Sequence, residues 1–180
     1  VGDARQIERL AERAGGHPLF LLELLSAGLD SEHDEALPES IESLVTTRID
    51  KLPAQDRVLL REASVAGLVI DTTLIAESFD RPDLVAPDRW HALGDFLEHR
   101  GGDRFRFRHD LYRAVAYEGL AYRRRRHVHR ALGHTLERRH EGDLARIAPL
   151  LSTHFDRGRD DDRAWTYSVL AADTSRAGYA

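Results

Sequence analysis

His109 and Asp110 stand where the chain changes its period. Just upstream, Arg104, Phe105, Arg106, Phe107 and Arg108 alternate charged and apolar, the pattern of a strand. Just downstream, Leu111, Ala114, Val115 and Tyr117 recur at spacings of three and four, the pattern of a helix. A histidine at such a junction can cap the helix, with Asp110 favoured by the dipole in its first turn. The same geometry can serve an anion, because a helix N-terminus gathers free N–H groups and partial positive charge. His109 would then donate to a phosphate oxygen and Arg108 would add charge.

Two other stretches carry candidate chemistry. In "GGHPLFLLEL" a glycine pair stops one helix and Pro18 opens the next, where a missing N–H costs nothing. This reads as an interhelix turn, or as a rigid proline face for a flat ligand such as a nucleotide base. In "YRRRRHVHR" an arginine run could bind phosphates, although a solvated helix face explains it as well. His127 and His129, two residues apart, fall on different helical faces, and no carboxylate stands at ligand spacing. No metal site is therefore expected, and no further histidines and aspartates stand in register for an HD-type hydrolase. The chain also lacks a GxxxxGK[ST] phosphate loop, a GxGxxG turn, a defensible Ser-His-Asp set and any cysteine. It should not be a complete enzyme.

The elements that would position these residues are mostly helices. Asp3 to Ala14 carries an apolar stripe, and the helix from Pro18 is apolar on nearly all sides, so it should be deeply buried. "LDSEHDEA" reads as a polar loop. Pro38 opens "PESIESLVTTRIDKL", and Pro53 restarts "PAQDRVLLREASVAG" with Val58, Leu59, Ala63 and Ala66 inward. "LVI" is too short to place by period. Asp71 can cap a helix to Phe79, and Pro82 and Pro87 bracket a loop. "DRWHALGDFLEHR" reads as a helix with Trp90, Leu93, Phe96 and Leu97 inward. Gly101-Gly102-Asp103 turns a hairpin between Leu97–Arg100 and Arg104–Arg108. Helices follow over 109–120, 122–140, 144–157 and 163–179, the last two as a hairpin of tetratricopeptide type. The order helix, short segment, helix, helix, hairpin suits a winged helix. The fold expected is mainly α: a helical lid segment over 1–52, a winged-helix domain over 53–120, and a linker helix with the first helical-repeat hairpin over 121–180.

Charge is unevenly spread over the 180 residues, whose net charge of -5 argues against wholesale nucleic-acid binding. From Gly101 to His140 eleven arginines face four carboxylates, with five histidines besides. From Leu29 to Asp56 eight carboxylates face only Arg48 and Lys51. Such segments could be docking faces for each other or for further domains. No apolar run approaches a bilayer span, so no membrane helix is expected, and the lack of cysteine suits a cytoplasmic protein. Without methionine and beginning at Val1, the chain reads as a fragment of a longer protein. Arginine in place of lysine almost throughout suggests a GC-rich genome.

In order, "LAERAGGHPLFLLELL", "LPESIESLVTTRIDKLP", "LLREASVAG", "FRFRHDLYRAVAYEGL", "RRRRHVHRALGHTLE", "LSTHFDRG" and "AADTSRAGYA" resemble the region after the P-loop module of bacterial STAND signal-transduction ATPases. Proteins of that type are often fused to class III nucleotide cyclase or LuxR-type DNA-binding domains. The resemblance spans nearly the whole chain. It implies that a GxP motif, here Gly16, His17 and Pro18, touches the adenine of ADP or ATP. It implies that the histidine of an MHD-like motif, here Arg108, His109 and Asp110, touches the β-phosphate of ADP and holds an off state. Arginine stands where that motif has methionine. The Walker motifs, and the Mg2+ they hold, would belong to an upstream P-loop NTPase domain. Helical repeats or an effector domain would follow downstream. The alternative is a DNA-binding winged-helix transcriptional regulator with a helical dimerisation region. Direct DNA binding is not expected, because Asp88, Asp95 and Glu98 share the candidate recognition helix with Arg89 and Arg100.

Overall fold

The computed structural model describes Pro18, Leu19, Leu21, Leu22 and residues 40–177. The chain divides into two compact units, Val1–Pro53 and Ala54–Ala180. The described residues are mainly helical, with one small antiparallel sheet of three strands among them.

In the first unit, Pro18, Leu19, Leu21 and Leu22 are helical, but Pro18 and Leu22 are exposed, Leu22 at 60%. The expected deep burial does not hold there. The helices expected over 3–14 and after Leu22, and the polar loop, lie outside the described residues. Helix α1 spans Ile41–Lys51 and begins later than Pro38 suggests, because Ser40 is its N-cap. The Ser40 hydroxyl accepts from the Ser43 N–H at 3.2 Å. Leu44, Val45 and Ile49 form the buried stripe.

The second unit opens with α2, Ala54–Ala63, and one 3-10 turn, Ser64–Ala66. Gly67 ends it at φ 120°, a conformation that penalises any side chain. Leu59, Leu60 and Ala63 point inward, whereas Val58 is 51% exposed. The expected inward position passes to Leu60, which the alternation of neighbouring apolar residues left ambiguous. "LVI" resolves as part of strand β1, Val69–Asp71. Asp71 caps α3, Thr72–Phe79, as its place predicts, accepting from the Leu74 N–H at 2.9 Å.

A 3-10 turn over Pro82–Val85 leads to α4, Pro87–His91. The longer helix expected over "DRWHALGDFLEHR" stops there. Beyond His91 the chain closes three-residue turns, Gly94 N–H to His91 O at 3.0 Å and Phe96 N–H to Leu93 O at 2.9 Å. Its tail is drawn into strand β2, Leu97–His99. The four residues expected inward, Trp90, Leu93, Phe96 and Leu97, are nevertheless all buried. Burial is set by the core they share, whichever backbone presents them.

Strand β3, Arg104–Phe107, is central and pairs with both β1 and β2. Ile70 lies opposite Phe105, and Leu97 opposite Phe107. These four are at most 1% exposed. Period-two alternation sends Arg104 and Arg106 to the other face. Trp90 stacks on Phe105 at 5.8 Å and donates its indole N–H to the Leu84 carbonyl at 2.6 Å. That bond satisfies the single polar atom of a wholly buried ring.

Four helices complete the unit: α5, Asp110–Glu118; α6, Tyr122–Arg139; α7, Leu144–Gly158; and α8, Asp161–Ala177. The two-residue link at Arg159-Asp160 folds α8 back on α7. Their core joins Leu136, Ile147, Leu151, Phe155, Ala164 and Tyr167, with Phe155 and Tyr167 stacked at 5.7 Å. Gly133 lets α7 approach: a Cβ there would lie 3.1 Å from the Phe155 ring. Arg139, at the far end of α6, grips both Glu77 carboxylate oxygens at 2.7 Å and the Thr73 hydroxyl at 2.9 Å. This ties α6 to α3.

Candidate functional site

The junction of β3 and α5 builds the first candidate. His109 has extended backbone, φ -145° and ψ 145°, and is the N-cap of α5. Its Nδ1 accepts from the Leu111 N–H at 3.2 Å. An accepting Nδ1 has no proton, so the neutral ring carries its hydrogen on Nε2. The ring is exposed and meets Tyr112 edge-on at 6.3 Å. The capping reading of this histidine is therefore realised. It leaves an outward N–H donor at the start of a nine-residue helix.

Arg108 stands beside it and serves the scaffold. Its backbone N–H donates to Phe96 O at 2.9 Å, and its Nε donates to Gly94 O at 2.7 Å. The side chain thus splints the turn before β2 while remaining exposed. Arg108 and His109 are adjacent at the mouth of α5. Pro18 belongs to the other unit and is exposed. Gly16 lies outside the described residues.

A second concave feature lies wholly within the second unit. The cleft, about 530 Å³, has Val58, Leu59, Phe79 and Leu84 among its walls. Three arginines at its edge are each matched by a carboxylate: Arg81 by Asp83 at 2.7 Å, Arg89 by Asp56 at 2.9 Å, and Arg124 by Glu62 at 2.6 Å. The cleft is mixed in character, with Val58, Leu59, Phe79 and Leu84 set among Gln55, Glu62 and arginines whose charge is already matched.

No family model matches the chain, and no curated protein or solved structure shows significant similarity to it.

A third arrangement has no counterpart in the motif reading. His129 and His154, 2% and 4% exposed, face each other through Nδ1 at 3.1 Å. His129 Nε2 lies 3.0 Å from the Tyr117 hydroxyl, which Arg157 approaches at 3.4 Å. Either tautomer order of the two rings satisfies the row. In one of them Arg157 donates to the phenol oxygen, the phenol donates to His129 Nε2, and His129 Nδ1–H donates to His154. Burial, then the neighbouring His154, Arg157 and Arg125, push His129 down to about 3. Burial and then Arg157 push His154 down to about 4. Both rings are neutral near pH 7. Spacing held a usable signal for each. His129 precedes Leu132 by three and Leu136 by seven, while His154 follows Leu151 by three and Ile147 by seven. Among the described residues no three histidine, aspartate or glutamate side chains converge on a metal-sized site. None of the described helices is long and apolar enough to cross a membrane.

Proposed function

We propose that this chain is the regulatory, nucleotide-sensing middle region of a STAND-type signalling ATPase, relaying an ADP/ATP state to an effector domain, a cyclase or a transcription regulator. In this reading residues 1–52 are a helical lid segment, 53–120 a winged helix, and 121–180 a linker helix with the first tetratricopeptide-like hairpin. Catalysis belongs to an upstream P-loop domain, which also holds the Mg2+. The chain itself is a cover and a relay.

The observation that carries the reading is the state of His109. Its cap bond fixes Nε2–H as an exposed donor at a helix N-terminus, and the preceding residue, Arg108, is exposed with its Nε given to the Gly94 carbonyl. That is the chemistry a β-phosphate oxygen needs. The succession α2, β1, α3, α4 and the β2–β3 hairpin supports the winged-helix reading. The α7–α8 hairpin packed on α6 supports the helical-repeat one. Gly16 and Pro18 would meet the adenine.

The test is ADP binding to a longer chain that includes the P-loop domain. His109→Asn keeps a capping side chain and removes the imidazole, so it should weaken ADP at least several-fold, as should Pro18→Ala. Unchanged affinity in both variants overturns the site assignment. The 180-residue chain alone should bind ADP poorly.

Reading of duplex DNA is less well supported. The candidate recognition helix α4 has five residues, Trp90 is spent on the core, and Arg89 is held by Asp56. A salt-dependent shift of random duplex that is lost in Arg89→Ala would favour it instead.

A further inference from the structure

We infer that the first half of α6 and the end of α7 form a binding surface for single-stranded nucleic acid. Two adjoining depressions, about 260 and 210 Å³, share Arg126. Arg123, Arg126, His127, Arg130 and Gly158 line the first. The second adds Tyr122 and Arg159, with Asp156 as a carboxylate in its wall.

An ordinary solvated helix face carries both signs of charge; the first half of α6 carries only positive ones, and Asp156 of α7 is the carboxylate in the lining. Among the described residues Arg123, Arg126 and His127 have no carboxylate partner, whereas Arg81, Arg89, Arg124, Arg139 and Arg163 each hold one. The only acid in α6 is Glu137, near its far end. The arginines also crowd the positive end of the helix dipole, with no acidic residue in the first turn and no side-chain cap at Ala121. Locally this arrangement opposes folding, and an anionic ligand relieves it.

The aromatic component selects among anions. Tyr122 is 58% exposed, with the Arg126 guanidinium 5.7 Å from its ring centroid and Arg159 Nε 3.4 Å from its hydroxyl. An exposed ring among arginines offers a stacking platform beside phosphate contacts, the pairing that single strands use. Arg123, Arg126 and Arg130 follow one helical face over roughly 10 Å of axis, at 1.5 Å per residue. That suits successive phosphates of an extended strand. Arg130 is already oriented, donating to Gly158 O at 2.9 Å and Arg159 O at 3.0 Å. The chain's overall negative charge is no obstacle, since screening confines interactions to about 8–10 Å at moderate salt.

The experiment is fluorescence anisotropy of labelled oligothymidylate with the 180-residue chain at 50 mM salt. Binding should fall with added salt, with a log–log slope near -2 for about three phosphates. Arg123→Gln with Arg126→Gln should weaken it at least tenfold, and Tyr122→Leu several-fold. Arg146→Gln, at an exposed pair with Asp143, is the control and should leave it unchanged. Circular dichroism checks that the variants remain folded. Inorganic polyphosphate and poly-glutamate, at equal charge, are the competing probes. Absence of oligothymidylate binding overturns the proposal, as does binding indifferent to the arginine pair. Equal displacement by either polymer, together with an inert Tyr122→Leu, also overturns it, since the surface would then read charge alone.

Discussion

His129 and His154 share one hydrogen between their Nδ1 atoms in the closed interior between α6 and α7. Protonating the accepting Nδ1 would set two N–H groups head to head at 3.1 Å and place a cation close to Arg157.

Acid should therefore unfold this part of the chain early. Both folded values, about 3 and about 4, lie below the ordinary histidine value of 6.5. Below pH 6.5 the unfolded chain binds more protons, so stability present above that pH is lost as it falls towards 4. The slope is about 1.4 kcal/mol per pH unit for each histidine. Urea midpoints taken from pH 7 to 4.5 measure it. Replacing both by leucine should flatten the profile, and an unaltered slope would refute the assignment.

His109 has a structural role separable from any ligand. Losing the cap in His109→Ala should cost about 1 kcal/mol, and His109→Asn should recover most of it. Equal denaturation midpoints for alanine and asparagine would show that the Leu111 N–H bond contributes little.

Gly133→Ala tests the crossing of α6 and α7. Helix propensity alone predicts a gain of about 1 kcal/mol. Against it, the new methyl lies 3.1 Å from Phe155, which is fully buried and held by Tyr167 and His134. Overpacking of this kind costs about 1–3 kcal/mol. The net expectation is a lower melting temperature; a higher one means that the ring can yield.

Asp80 ends α3 in the left-handed region, φ 52° and ψ 47°, where side chains are disfavoured. Asp80→Gly should raise stability by about 0.5–1 kcal/mol in urea titrations. A decrease would assign the aspartate side chain a stabilising role of its own.

Elements with strong local signals were readable from the chain alone. Asp71 stood before a short apolar helix, Gly101-Gly102 between alternating runs, and α5 to α8 showed sustained helical period. Stretches decided by partners were not readable. Val69–Asp71 is a strand because β3 lies beside it, and "FLEH" leaves the helical path for the same reason. Val58 and Leu60 exchange places because adjacent apolar residues do not reveal which one meets the core. At the candidate site, the junction around His109 was visible as a change of period, and its capping bond follows from that. The His129–His154 pair joins residues 25 positions apart. Each lay on an apolar stripe, but only packing could bring the rings face to face.

Helix α6 touches the Phe155 core along one side, while Arg139 fastens its end to α3. Eighteen residues make it a rod of roughly 27 Å. A rod clamped at its end and seated along its length cannot bend to absorb a push. Tilting α6 would strain the Arg139 bonds to Glu77 and Thr73 together with its 3.6 Å ion pair to Asp71, so the end of α6 and the cap of α3 move as one piece.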